Sequence, residues 1–210
     1  MRVRAKICGI TSRADADAAV GAGCDALGFN FFPQSPRYIA PERVRSIVAT
    51  LPPFVTAVGL FVDAEPRHVR DVAVASGIGL VQFHGEESDA ACAAVGLPYI
   101  KVIRMSARDA ANDLERRFPG AAGYLLDAWT STRPGGTGLT FDWSWWPAAS
   151  TKPLILAGGL TPENVADAIR RTRPYAVDVA SGVEGASKGV KDAAKIERFM
   201  IEVQRASRGN

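Results

Sequence analysis

The sequence predicts an α/β protein folded as a single (β/α)8 TIM barrel over residues 1–210, on three observations. Short apolar, β-like runs alternate with helix-like runs of about ten to fifteen residues, and the cycle repeats eight times. A length of 210 residues suits one domain with a substantial core and would cramp a second. The principal rival, an open doubly wound sheet, wants Gly-x-Gly-x-x-Gly after its first strand, where this chain has only Cys8-Gly9-Ile10-Thr11.

The first apolar run, Val3 to Ile10, is cut by Gly9. Thr11 and Ser12, residue types that cap helices, then precede the alanine-rich stretch Ala14–Val20. Cys8 is therefore the last side chain of a strand before the chain turns away. The second strand is Ala26–Phe31, followed by a Pro-punctuated loop, Pro33 to Ile39, and a helix with Pro41 in its first turn. Thr56–Val62 is the third strand, and Pro66 starts the helix that runs to Ala75. Gly79–Phe83 is the fourth strand, ending at His84-Gly85; Glu86 to Val95 reads as its helix, stopped by Gly96 and Pro98. Tyr99–Arg104 is the fifth strand and Ser106 to Arg117 a charged amphipathic helix. The sixth strand, Gly123–Asp127, leads into the longest loop, Ala128 to Thr140. Long glycine-rich loops in compact domains are usually lids, so Gly135, Gly136 and Gly138 are expected to close over a site. Pro153–Ala157 is the seventh strand, ended by Gly158-Gly159, with a helix opened by Thr161-Pro162-Glu163. Ala176–Val179 is the eighth, followed by Ser181-Gly182 and a last helix from Asp192 to Ala206.

Apolar residues make up 47% and charged residues 22%, the balance of a globular chain rather than a disordered one. No 18-residue apolar run and no secretory signature is present, so no membrane partner and a cytoplasmic location are expected. The net charge of +3 suits a small anionic substrate and is too weak to argue for nucleic acid. Three cysteines, Cys8, Cys24 and Cys92, make no disulfide framework, and with two histidines they give no zinc spacing, so no metal is expected. Nothing indicates a long apolar interface patch, and a monomer is expected.

In a barrel, chemistry collects at the C-terminal ends of the strands. There the chain carries Cys8, Asn30, Asp63, His84, Arg104, Asp127, Gly158-Gly159 and Ser181-Gly182. Cys8 is either a small buried filler or a working thiol. Lys6, two residues back on the same side, favours the second by lowering the thiol pKa. Asp127 either caps a turn or, desolvated at an apolar mouth, has a raised pKa and donates a proton. The first and sixth strands are not neighbours, so the two groups would face each other across the mouth as base and acid. Glycines at Gly158-Gly159 and Ser181-Gly182 let backbone N–H groups approach a phosphate, helped by a helix N-terminus. Arg37, directly after Pro36 in a loop that Pro33 and Pro36 restrict, is a loop cation whose planar fork suits a carboxylate. His84 is either a strand-end contact or a satisfied structural histidine. Trp143, Trp145 and Trp146 could stack on an aromatic substrate, but anchoring a short helix is the commoner use.

Taken together, Lys6-Ile7-Cys8-Gly9-Ile10-Thr11, Ser35-Pro36-Arg37-Tyr38, Gln82-Phe83-His84-Gly85, Leu125-Leu126-Asp127, Gly135-Gly136-Thr137-Gly138, Ala157-Gly158-Gly159-Leu160 and Asp178-Val179-Ala180-Ser181-Gly182-Val183-Glu184 resemble the phosphoribosylanthranilate isomerase family of tryptophan biosynthesis. The resemblance implies a cofactor-free barrel acting on a small-molecule substrate, phosphoribosylanthranilate, by an Amadori rearrangement. It implies Asp127 as general acid, Cys8 as general base, Arg37 on the anthranilate carboxylate and Gly158, Gly159, Ser181 and Gly182 on the sugar phosphate, with His84 and Asp178 as further substrate contacts. Phe83 stands where the family often has leucine, and Ala180 where it often has a small polar residue. Ser187-Lys188-Gly189 replaces a common Ser-Pro-Gly, so a looser loop is expected there, before the retained Lys191-Asp192. Another sugar-phosphate isomerase or epimerase, or a non-catalytic phosphate-binding barrel, remains the alternative.

Overall fold

A computed structural model describes residues 2–128 and 140–208. Eight parallel strands close in sequential order: β1 (Arg4–Cys8), β2 (Ala26–Asn30), β3 (Thr56–Phe61), β4 (Leu80–Phe83), β5 (Tyr99–Met105), β6 (Gly123–Ala128), β7 (Leu154–Leu156) and β8 (Ala176–Val179). Helices α1 (Arg13–Gly21), α2 (Pro41–Val48), α3 (Pro66–Ser76), α4 (Asp89–Ala93), α5 (Leu114–Arg117), α6 (Val165–Thr172) and α7 (Ala193–Arg208) cover the outside. Ser12 caps α1 by accepting from the Asp15 N–H, and Pro41 and Pro66 open α2 and α3, where a missing N–H costs nothing.

Three helices differ from the sequence expectation. The run from Glu86 to Val95 yields only α4, because the Glu87 side chain turns inward. Its Oε1 accepts from the Asp63 and Gly85 N–H groups at 2.8 and 3.1 Å, and its Oε2 pairs with Lys101 Nζ at 2.7 Å. The charged run from Ser106 shrinks to α5, since Asp113 takes a left-handed conformation (φ 55°) that a helix interior excludes. The helix expected at Thr161 starts later, at Val165, after a turn in which Asn164 Oδ1 accepts from the Thr161 N–H.

Side chains alternate across each strand. Outward residues such as Ile7, Leu27, Phe83 and Val177 pack under the helices in the main core. Inward residues Ile100, Val102, Leu125, Ile155, Ala157 and Ala176 form a second, smaller cluster within the barrel. Because strands tilt, inward side chains of alternate strands reach the same height and stack in layers of four. The register stacks these layers from the mouth downward: Asn30, His84, Asp127 and Ala180; Cys8, Leu60, Val102 and Ala157; Gly28, Gln82, Leu125 and Asp178; Lys6, Val58, Ile100 and Ile155. The mouth layer is thus the most polar, and below it Lys6, Gln82 and Asp178 are set among apolar side chains. Among the described residues, no helix is long and apolar enough to cross a membrane.

Trp143–Trp145 forms a single 3-10 turn whose indoles pack against the main core, the anchoring use. Trp143, with Trp146, Arg171 and Tyr175, borders a groove of about 860 Å³ on the rim where β7 and β8 begin, opposite the polar mouth.

Candidate active site

Cys8 ends β1, buried, with its side chain in the layer below Asp127. Gly28 on β2 makes the room: a Cβ there would lie 2.9 Å from Cys8 Sγ and 3.0 Å from Lys6 Nζ. Lys6 is 4% exposed and pairs with Asp178 Oδ1 at 2.8 Å, across the β1–β8 register. Burial by itself would lower the Lys6 ammonium, but Asp178 and Cys8 hold it above its ordinary value. At Cys8 the balance is the reverse of the sequence expectation. Burial pushes the thiol pKa up, Lys6 and Lys191 pull it down without prevailing, and Asp178 adds to the rise. Lys6 is where the sequence put it; desolvation is simply the larger effect.

Asp127 lies near the end of β6, 15% exposed at its side chain, with its Oδ2 3.3 Å from His84 Nε2. Its nearest charged-capable neighbour is an imidazole, so the mouth around it is polar and not the apolar setting the sequence suggested. His84 therefore joins the acid's surroundings and is not a remote structural histidine.

Arg37 reaches over Gly9 into the space between the β1, β2 and β8 loops. Its Nε and Nη2 donate to Glu184 Oε1 and Oε2 at 2.6 and 3.0 Å, and Lys191 Nζ sits 3.3 Å from Glu184 Oε1. One edge of the guanidinium fork is thus occupied by protein, and Nη1 donates to no acceptor among the described residues. Burial alone would raise the Glu184 carboxyl; the Arg37 hydrogen bonds and Lys191 outweigh it and hold the pKa below the usual carboxylate range. For Lys191, burial dominates and lowers the ammonium pKa despite Glu184. The segment expected to be loose, Ser187-Lys188-Gly189, is pinned: Thr11 Oγ1 donates to the Gly189 carbonyl at 2.6 Å, and the Val190 N–H donates to the Ser187 carbonyl at 3.2 Å.

Gly158 and Gly159 have φ of 84° and 63°, conformations that a side chain would strain. No acceptor among the described residues takes their N–H groups, which suits an anion. Ser181-Gly182 opens a single 3-10 turn, Ser181–Val183, rather than an α-helix. Gly182 packs against the Leu160 carbonyl, so the β7 and β8 loops form one surface. The lid glycines Gly135, Gly136 and Gly138 lie outside the described residues.

Three other strand-end polar residues serve the scaffold. Asn30 Oδ1 accepts from the Phe32 N–H while its Nδ2 donates to Ser35 Oγ, Asp63 Oδ1 accepts from the Glu86 N–H, and Arg104 donates to the His84 carbonyl. Sequence reading missed Glu184 and Lys191 as neighbours of Arg37, and Lys6 as the partner of Asp178. Among the described residues, no cluster of His, Cys, Asp or Glu is placed to hold a metal ion.

A carboxyl, a thiol, a guanidinium fork and a pair of glycines with positive φ thus ring one barrel mouth. A family model for N-(5'phosphoribosyl)anthranilate (PRA) isomerase matches residues 5–202. The chain belongs to this PRA isomerase family. Its relatives include an N-(5'-phosphoribosyl)anthranilate isomerase of Pseudomonas fluorescens (strain Pf0-1), 55% identical over 202 residues, with 96% of this chain and 98% of that protein covered. The PRA isomerase structure from Thermotoga maritima superposes with a TM-score of 0.87 at 42% identity, covering 99% of this chain and 100% of that one. A further PRA isomerase structure, in complex with reduced 1-(o-carboxyphenylamino)-1-deoxyribulose 5-phosphate, gives a TM-score of 0.81 at 39% identity, with 99% and 100% covered.

Proposed function

We propose that this protein converts N-(5'-phosphoribosyl)anthranilate into 1-(2-carboxyphenylamino)-1-deoxyribulose 5-phosphate in tryptophan biosynthesis, with Asp127 as general acid and Cys8 as general base. The observation that carries the assignment of roles is the stacking of the two side chains in adjacent layers of one mouth, on strands that are not neighbours. A ribose ring lying between them presents its ring oxygen to the acid and its C2 hydrogen to the thiol. Asp127 protonates the ring oxygen, the C1–O bond breaks, and the amine nitrogen becomes an iminium. That cation beside Cys8 favours the thiolate, offsetting the burial that raises the thiol pKa, and the thiol proton leaves to solvent. The thiolate takes the C2 proton, and the resulting enolamine tautomerises to the ketone.

The remaining groups orient the substrate. The free edge of Arg37 binds the anthranilate carboxylate, the N–H groups at Gly158 and Gly159 with the Ser181-Gly182 turn hold the phosphate, and His84 and Asp178 contact the sugar. The lid at Gly135, Gly136 and Gly138 excludes water.

Loss of anthranilate fluorescence on adding freshly made phosphoribosylanthranilate, with spontaneous breakdown subtracted, tests the reading. Cys8→Ala and Asp127→Asn should each lower kcat at least 100-fold while still binding the reduced product analogue. If Asp127→Asn turned over at the wild-type rate, the general-acid assignment would be wrong.

A further inference from the structure

Among the polar side chains inside the barrel, Gln82 stands apart. It is 1% exposed, and its Oε1 accepts no hydrogen bond among the described residues. Its strand neighbours Val81 and Phe83 belong to the outer core, while Leu80, two residues earlier, packs on the inner cluster; Gln82 therefore points into the barrel. On its two flanking strands it registers with Leu60 and Ile100, which offer no donor. Its layer holds Gly28, Leu125 and Asp178. Of these, Asp178 faces it from the opposite strand and is engaged by Lys6, Gly28 has no side chain, and Leu125 is apolar. The layer directly above carries Cys8, and the one above that carries His84 and Asp127.

A buried amide oxygen without a donor is a cost to the free protein, and interiors keep such groups rarely. Apart from Cys8 and Lys6, the layers above and below it are filled by Ile, Val, Leu and Ala, any of which would have served packing at this position. A donor can reach this oxygen from what enters the mouth. Resting on the isomerase reading above, we infer that Gln82 Oε1 accepts a hydrogen bond from a sugar hydroxyl of the substrate at C2 or C3, next to the proton that Cys8 removes. Gln82 is in this account the floor of the sugar subsite. The bond fixes the ring height so that the C2 hydrogen meets the Cys8 sulfur one layer up. A misplacement of about 1 Å at a reacting atom can cost about 100-fold in rate.

The test uses Gln82→Met, which keeps length and volume and removes the acceptor. Affinity is measured for the reduced product analogue and for its 2-deoxy and 3-deoxy counterparts, alongside kcat/KM and the thermal midpoint. In wild type, deleting the contacted hydroxyl should weaken binding about 10-fold. In Gln82→Met the same deletion should change affinity less than about twofold, with kcat/KM reduced about 10- to 100-fold and the thermal midpoint no lower than wild type. A merely structural glutamine would lower the midpoint and leave both ligand differences as large as in wild type. If neither deoxy analogue loses its penalty in the variant, the inference is overturned, whatever the variant's stability. A wild-type protein that neither turns over phosphoribosylanthranilate nor binds the reduced analogue would overturn the isomerase reading, and the inference with it.

Discussion

Replacing Glu184 with Gln isolates the cluster that aims Arg37. Glu184 is the carboxylate partner of two cations, Arg37 through Nε and Nη2 and Lys191 through Nζ, and among the described residues neither cation has another. The three side chains are 12%, 5% and 1% exposed for Arg37, Glu184 and Lys191, so solvent screens little of the interaction. A glutamine keeps one acceptor oxygen, but its NH2 would face a guanidinium donor, and the two cations would repel with no charge between them. Breaking a buried pair by removing one partner costs about 3–5 kcal/mol. Since Arg37 lies at the rim, the lower end applies, about 3 kcal/mol, or about 6–12 °C in thermal midpoint for a chain of this size. The Arg37 fork would also lose its orientation, so KM should rise about 10-fold or more, with kcat falling less. Circular-dichroism melting and the fluorescence assay read the two effects separately. The sign with pH follows from the depressed carboxyl. Its stabilisation is present above the ordinary carboxylate range and is lost as pH falls through the lowered value, so the gap between wild type and variant narrows in acid. A midpoint shift under about 2 °C together with an unchanged KM would refute the positioning role.

Two further perturbations probe the thiol. Gly28→Ala would place a Cβ 2.9 Å from Cys8 Sγ and 3.0 Å from Lys6 Nζ. Overpacking of this kind costs about 1–3 kcal/mol. Kcat should fall by more than affinity for the product analogue, and equal losses in both would show that the thiol is not displaced. Iodoacetamide labelling followed by mass spectrometry against pH should show Cys8 reacting with a midpoint above the ordinary thiol range, because burial outweighs Lys6 and Lys191. Cys24 and Cys92, pushed up to about 12 and about 11 by burial, should likewise resist labelling near neutral pH. A Cys8 midpoint at or below about 8.5 would mean that the lysines win.

The barrel was legible because its signals are local. Apolar runs of four to seven residues, each stopped by glycine, proline or a capping residue, are set by alternation and turn chemistry over a few positions, and β8 matches its expected span residue for residue. The elements that were misread are those decided from afar. Nothing within the stretch Glu86–Val95 says that Glu87 will be drawn to Lys101 on the next strand. The site divides in the same way. Cys8 and Asp127 are marked by their place at strand ends, whereas the partners that set their properties lie far along the chain. Lys6 meets Asp178 across 172 residues, and Arg37 meets Glu184 across 147. The direction of the Cys8 pKa shift was misjudged for the same reason: a sequence shows the neighbouring lysine but not the depth of burial.

Those two long-range ion pairs fall at one place, the seam where the last strand closes on the first. Lys6–Asp178 bridges β1 to β8 within the sheet, and Arg37–Glu184–Lys191 ties the loop after β2 to the loop after β8 above it. Cys8 stands at that seam, with its electrostatic surroundings supplied first by Lys6 beside it and then by Asp178 and Lys191 from the end of the chain. Unpaired, Lys6, Asp178, Glu184 and Lys191 would be uncompensated buried charges, each costly on its own. The seam therefore has two favourable states, fully solvated in the open chain or fully paired in the closed barrel, and a poor one between them. Contacts of such long sequence separation form late because loop closure must precede them. It follows that the electrostatic setting of the Cys8 thiol is assembled only with closure of the whole barrel. A chain cut short before β8 would keep the cysteine and lose that setting.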